Sequence, residues 1–363
     1  MDIVILGFIT AFFIVLLATP SLIKVAKLKR LVDEPSEERK LHISSIPTIG
    51  GIIIFAGFIF AYSLWFPSED RNYFYDPYND LLSAFDQFKY MIASLLILFF
   101  IGVKDDIIGT APLYKLMGHM LVAFILVLMA DVRIESMHGI FGYDILPDWV
   151  SILLSVFTYI VIVNGFNLID GVDGLAAGVG FIACSFFAVW FYMGGDIPLT
   201  LLASCMAGAL FGFLIFNFHP ARIFMGDSGS MLIGAVMSVL AIRMIEHDTS
   251  LLPELIRGIP TPVLAMTILS YPLVDTLRVF LLRAINGNSP FTADKNHIHH
   301  RLLASGLNHS KTAFLVYSLN ILLVIFNSLF LKMAPTWAFL LMLLLAAVLY
   351  QLPGFIRTRS SGK

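Results

Sequence analysis

The sequence predicts an all-α polytopic membrane protein of about eleven transmembrane helices, with its N-terminus outside and its C-terminus cytoplasmic. Three observations carry this reading: long apolar runs, few charges, and basic residues gathered in alternate loops. Hydrophobic residues fill 58% of the 363 positions and charged residues only 13%, and mean hydropathy is +0.87. Soluble domains run nearer roughly 45–50% apolar and about 25% charged. An ordinary soluble domain is therefore excluded. With a net charge of −2 the chain has no basic excess, and no nucleic-acid partner is expected.

Runs long enough to span, at about 17–25 residues each, fall at 3–23, 49–66, 88–104, 113–130, 149–166, 174–194, 198–217, 229–246, 258–282, 312–331 and 335–356. The first is not a signal peptide. Asp2 stands where a basic n-region would be, no small-residue cleavage site follows, and Lys24, Lys27, Lys29 and Arg30 come after the apolar run. Val132 to Leu146 is too polar and broken to span and reads as a small external hairpin. Cys184 and Cys205 lie inside apolar runs and read as small core residues. Without a long linker, low-complexity segment or repeat, residues 1–363 form a single integral membrane domain. Threaded from an outside N-terminus, the chain puts 17 of its 23 Lys and Arg on the inner side, as the positive-inside rule requires.

Five inner segments concentrate the polar chemistry. The first carries Arg39, Lys40 and, at the start of the second run, Thr48-Ile49-Gly50-Gly51. The second is Lys104-Asp105-Asp106, with Lys115 and His119 one turn apart soon after. The third runs from Asn164 through Asn167, Asp170 and Asp173 to Gly174. The fourth contains His219-Pro220 and Phe224-Met225-Gly226-Asp227, and the fifth is His297-Ile298-His299-His300-Arg301. Asp105, Asp106, Asp170, Asp173 and Asp227 sit at the inner ends of apolar helices, where a charged Asp costs up to about 2.5–3.5 kcal/mol. If helical, Asp170 and Asp173 share one face. Five converging carboxylates repel one another unless a cation lies among them, and oxygen-only ligands favour Mg²⁺, with Mn²⁺ also suitable. Singly, Asp105 or Asp106 reads equally well as a helix cap or ion-pair partner. Lys115, Arg301 and the histidines are suited to phosphate oxygens. Zinc at the three histidines is disfavoured, because positions i, i+2 and i+3 are poorly placed on one regular helix. His119 reads as a packed histidine and His219 as a helix-end residue.

Taken together, the segments Lys104–Asp106, Asn164–Gly174, Phe224–Asp227 and His297–His300 resemble the polyprenyl-phosphate N-acetylhexosamine-1-phosphate transferases, in that family's motif order and across about Arg39 to Arg301. The resemblance implies Mg²⁺-dependent transfer of a sugar 1-phosphate from a UDP-activated N-acetylhexosamine to a polyprenyl phosphate, with release of UMP. His297-Ile298-His299-His300-Arg301 is similar to the undecaprenyl-phosphate alpha-N-acetylglucosaminyl 1-phosphate transferase branch, whose donor is UDP-N-acetylglucosamine. That branch starts O-antigen, enterobacterial common antigen or teichoic-acid linkage synthesis at the bacterial inner membrane, on its cytoplasmic face. The phospho-N-acetylmuramoyl-pentapeptide branch typically carries three consecutive histidines, which this chain lacks.

The resemblance further implies Asp227 as chief Mg²⁺ ligand, with Asp105 and Asp106 at the lipid phosphate as base or nucleophile. It places Asn164, Asn167, Asp170 and Asp173 along the nucleotide and metal site, and Phe224 on the uracil. His297, His299, His300 and Arg301 would hold the diphosphate or sugar, Lys115 a phosphate, and Lys40 and Thr48 further contacts. In the ninth run, Pro272 is expected to bend one wall of a lipid groove, with Arg278 either serving that groove or pairing with Asp275. Helix faces rich in Phe and small residues are compatible with a homodimer. The reading from another class, a secondary transporter, lacks the matching halves and midplane site such proteins show.

Overall fold

A computed structural model describes residues 2–33, 46–67, 77–287, 297–330 and 333–355, the side chains of 77–83 and 352–355 excepted. Each predicted apolar run coincides with helix. These are α1 (Asp2–Leu28), α2 (Gly50–Trp65), α3 (Pro77–Ile108), α4 (Pro112–Phe124), α5 (Asp148–Leu168), α6 (Leu175–Met193), α7 (Ile197–Asn217) and α8 (Gly226–Ile245). The ninth run breaks into α9 (Thr261–Ile268) and α10 (Ser270–Ile285); after the short α11 (Ile298–Ala304) come α12 (His309–Asn327) and α13 (Pro335–Phe355). Among the described residues seven helices are long and apolar enough to cross a membrane, or eight with α9 and α10 taken as one broken span. Gly50–Trp65 and Pro335–Gln351 are shorter apolar helices, and the third run forms the second half of the 32-residue α3. α4 continues through one π turn, Ile125–Met129.

Burial ranks the helices. In α8 94% of the apolar stretch is buried, against 22% in α1. α8 is the hub, packed against α2, α3, α5, α6, α7 and α9. Its sequence explains the position: Gly226, Ser228, Gly229, Ser230, Gly234, Ala235 and Ser238 let neighbouring backbones come close. A Cβ on Gly51 of α2 would collide with the Gly229 amide nitrogen, and one on Gly102 of α3 with the Ser228 backbone. A Cβ on Gly234 would lie 2.6 Å from the Val163 Cα of α5.

The hairpin expected over 132–146 is present between α4 and α5. Ser136 and Ile145 form an antiparallel bridge, and the Leu146 amide donates to the Glu135 carbonyl at 2.8 Å. Arg133 holds Asp131, Glu135 and Asp148 across its base. It is clasped to two other elements: Glu246 accepts from the Glu135 amide at 2.9 Å, and Thr336 from the Phe141 amide at 2.8 Å.

The bend in the ninth run differs in place from the expectation. α9 and α10 meet at 80°, and the break falls at Leu269 (φ −97°, ψ 18°), three residues before Pro272. Pro272 is in the first turn of α10, where a missing N–H costs nothing because that group has no intrahelical partner. Cys184 and Cys205 are both free and buried.

Gly51→Ala is expected to destabilise the protein by about 1–3 kcal/mol through overpacking against the first turn of α8. Thermal unfolding in detergent checks this; an unchanged midpoint would show that the α2–α8 contact is not tight.

Candidate active site

The polar segments converge at one end of the bundle, at the first turn of α8. Asp105 and Asp106 end α3, Lys115 opens α4, Asn167 closes α5, and Asp227 is the second residue of α8. The loop before α2 is laced to the loop before α8: the Phe224 amide donates to Pro47 at 2.7 Å, Gly50 to Phe224 at 3.0 Å and Gly51 to Met225 at 2.8 Å. This fixes Thr48 and Phe224, both half-buried, beside Asp227. Gly226 sits at φ +73° between the Thr48 carbonyl and the Asp106 carboxylate, and a Cβ would strike both. The Gly of the Phe-Met-Gly-Asp segment is thus required by left-handed backbone and by space. Lys40 and Arg39 lie outside the described residues.

Asp106 caps α8. Its Oδ1 accepts the Asp227 amide at 2.6 Å, and Oδ2 accepts the Ser228 amide at 3.1 Å and the Ser228 hydroxyl at 2.5 Å. It satisfies N–H groups that a helix start leaves without partners. Asp105 instead faces the Asp227 carboxyl directly, and the Lys115 amine bonds both, at 3.4 Å to Asp105 and in close contact with Asp227. Asn167 Nδ2 completes the set, at 2.8 Å from Asp227 Oδ1 and 3.0 Å from Ser230 Oγ. Two carboxylates in contact need positive charge between them. Their donors are all oxygen, so Asp105 and Asp227 fit a hard divalent cation. Asp170 stands next to them, accepting the Gly226 amide, and its carboxyl is pushed well up by burial and then by the charges of Asp227 and Asp106.

Asp170 and Asp173 do not share a helix face as expected. α5 ends at Leu168, and the chain runs through non-helical turns from Ile169 to Gly174, with Gly171 between the two aspartates and Gly174, at φ +78°, just after them. Asp173 is buried away from Asp227. It accepts from His219 Nδ1 at 2.7 Å and the Ala221 amide at 3.2 Å, and pairs with His309 Nδ1 at 3.3 Å. Burial alone would raise its carboxyl, but the bonds from His309 and His219 hold it down at about 2. His219, expected as a helix-end residue, is therefore half of an Asp–His contact. His309, in the first turn of α12, carried no sequence signal. His119 is buried with Nε2 2.9 Å from the Met231 sulfur.

Beside the carboxylates opens a groove of about 790 Å³ between α4, α5, α9, α10, α11 and α13. Its polar end holds Lys115, Asn164, Asn167, Asp170, Arg283 and His300. The rest is apolar, including Phe157, Met266, Leu277, Phe280, Phe339 and Met342, and Phe157 is 63% exposed at its mouth. The α9–α10 break forms one wall. His297 and His299 also line the groove, but both are buried. Burial lowers His299 to about 3; it is neutral and packs its Nε2 over Gly171, so it adds no positive charge. Arg301 follows on α11 and is not among the groove's lining residues. The Asp275 carboxylate accepts from His297 Nδ1 at 2.7 Å and the Ile298 amide at 2.6 Å. Asp275 was missed as a site residue, although a charge inside an apolar run is itself a signal of function.

The sequence pattern of glycosyl transferase family 4 matches residues 88–245. A probable undecaprenyl-phosphate N-acetylglucosaminyl 1-phosphate transferase of Bacillus subtilis is 29% identical over 357 residues, covering 96% of this chain and 90% of that one. A decaprenyl-phosphate N-acetylglucosaminephosphotransferase of Mycobacterium tuberculosis is 34% identical over 296 residues, 77% of this chain and 71% of its own. An undecaprenyl-phosphate alpha-N-acetylglucosaminyl 1-phosphate transferase of Escherichia coli K12 is 28% identical over 335 residues, 90% and 84% of the two chains.

Two outcomes follow from this geometry. Asp106→Ala should lower stability by about 0.5–2 kcal/mol through loss of the α8 cap, whereas Asp105→Asn, which removes a like charge beside Asp227, should leave the unfolding midpoint unchanged or higher. Equal losses in both would refute the division of roles. Because Asp173 is held at about 2, below its unfolded value of about 3.9, the stability it contributes is present above pH 4 and lost as pH falls towards 2. The stability gap between wild type and Asp173→Asn should close over that window, and a gap independent of pH would refute it.

Proposed function

This chain belongs to the polyprenyl-phosphate N-acetylglucosamine-1-phosphate transferase family, within glycosyl transferase family 4, and from that premise we propose that it transfers N-acetylglucosamine 1-phosphate from UDP-N-acetylglucosamine to undecaprenyl phosphate. UMP leaves, and the lipid-linked sugar starts a cell-envelope polysaccharide. The observation that carries the reading is the apolar groove whose polar end, at Lys115, Asn167 and Asp170, abuts the Asp105–Asp227 pair. An isoprenoid tail suits the apolar length, and its phosphate then meets the carboxylates and the lysine. The arrangement fits an enzyme embedded through eleven spans in the bacterial inner membrane, with this end facing the cytoplasm, where the sugar nucleotide is soluble.

Phosphoryl transfer rests on positioning and charge stabilisation. A lipid phosphate oxygen attacks the β-phosphorus of the donor, and the bond from that phosphorus to the bridging oxygen breaks, leaving UMP. Direct attack is favoured over an aspartyl-phosphate, since a phosphate monoester with a second pKa near about 6 is largely dianionic at neutral pH. Lys115 holds phosphate oxygens as a point charge, Asn167 orients Asp227, and Asp106 keeps the α8 turn in place. Mg²⁺, bound by Asp227 and Asp105, would neutralise the donor diphosphate and the departing UMP.

The test is UMP release by purified protein with undecaprenyl phosphate, Mg²⁺ and UDP-N-acetylglucosamine, beside Asp227→Ala and beside UDP-N-acetylmuramoyl-pentapeptide. Turnover with the glucosamine donor alone, abolished by EDTA and in the variant, is the expected result. Turnover only with the muramoyl donor would move the enzyme to the peptidoglycan branch. Trapping phospho-enzyme with donor alone would overturn direct attack.

A further inference from the structure

Asp275 is fully buried on α10, inside the ninth apolar run, and neither of its carboxylate oxygens faces water. One oxygen accepts the Ile298 amide at 2.6 Å, at the start of α11, and the other takes His297 Nδ1 at 2.7 Å. One turn earlier on the same face of α10, the Tyr271 hydroxyl lies 3.4 Å from His299 Nδ1. The His297 and His299 rings are themselves stacked, with centroids 5.4 Å apart and planes 14° from parallel. α10 thus grips α11 through two side chains four residues apart, and both histidines line the groove.

We propose that Asp275 is a positioning residue for the transfer reaction, fixing the tautomer and orientation of His297 so that Nε2 is the nitrogen presented to the lipid phosphate. This inference rests on the function proposed above. A carboxylate only accepts, so Nδ1 must carry the ring proton whenever the contact is made. In the neutral ring Nε2 is then the lone-pair nitrogen, ready to accept a hydrogen bond or the residual proton of a phosphate monoanion; that proton leaves the phosphate oxygen and ends on Nε2. The neighbouring His299 is held differently: it has no carboxylate on Nδ1, which instead lies 3.4 Å from the Tyr271 hydroxyl, and its ring packs against Gly171. A carboxylate orienting a histidine through Nδ1 is a recurrent device of catalytic sites. A charge inside an apolar helix is costly enough that a purely structural cap, which an amide would serve as well, does not account for it.

Asp275→Asn separates the two roles. The amide oxygen keeps the Ile298 cap, while the NH₂ group faces His297 Nδ1 and donates to it, forcing the proton to Nε2. The fold survives and the tautomer inverts. The expected result is a kcat loss of about 100-fold or more, with the unfolding midpoint unchanged and the KM for UDP-N-acetylglucosamine within about twofold of wild type. His297→Gln should lose as much, and the double variant no more than either. In protein labelled with ¹⁵N-histidine, with the His297 signals assigned by their absence in His297→Gln, wild type should show Nδ1–H and the variant Nε2–H. Full activity in folded Asp275→Asn, additive losses, or an unchanged tautomer would each overturn the proposal. If wild type turned over neither donor, the functional reading would fail, while the ¹⁵N spectrum would still decide the tautomer.

Discussion

The contact on which the reacting end depends is the meeting of three backbones at the first turn of α8. Gly51, Gly102 and the Ser228–Gly229 pair approach too closely for any side chain to intervene, and Asp106 closes the turn by accepting two amides and a hydroxyl. Without that cap the first amides of α8 would be left without partners. With it, Asp227 leaves the turn at a fixed angle towards Asp105, Lys115 and Asn167. The scaffold and the site are one structure here, and adjacent aspartates divide the work.

The same principle governs the groove. Its polar end is built by side chains whose own bonds are already committed: Asn167 to Asp227 and Ser230, His297 to Asp275. A membrane interior penalises loose polar groups, so orientation comes from satisfied pairs. On the proposed chemistry, little is left to reorganise when an anionic substrate arrives, which is what electrostatic catalysis requires.

Much of this was legible in the residues because hydrophobic length and polar interruption are strong one-dimensional signals in membrane proteins. The apolar runs located the helices, and the inner-loop aspartates marked Asp105, Asp106 and Asp227 as neighbours. What the sequence did not disclose depended on backbone direction. Asp170 and Asp173 look helical by spacing, but the helix ends at Leu168 and the chain turns through both of them. Pro272 looks like the kink, yet a proline in a first turn is harmless and the chain breaks at Leu269. His309 and Asp275 acquire meaning only through partners 136 and 22 residues away in the chain, and no local pattern encodes such distances.

The groove wall formed by α13 is pinned at both ends. Near its start Thr336 takes the Phe141 amide, and Phe339 meets the Phe141 ring at 5.7 Å. Near its end the Tyr350 hydroxyl lies 3.0 Å from Ser270 Oγ on α10. A wall held at two points sets the width of a slot but places no stop along its length, and the exposed Phe157 leaves its mouth open sideways. For an isoprenoid substrate such a slot gauges the thickness of the chain and the charge of its head, and it does not count the units of the tail.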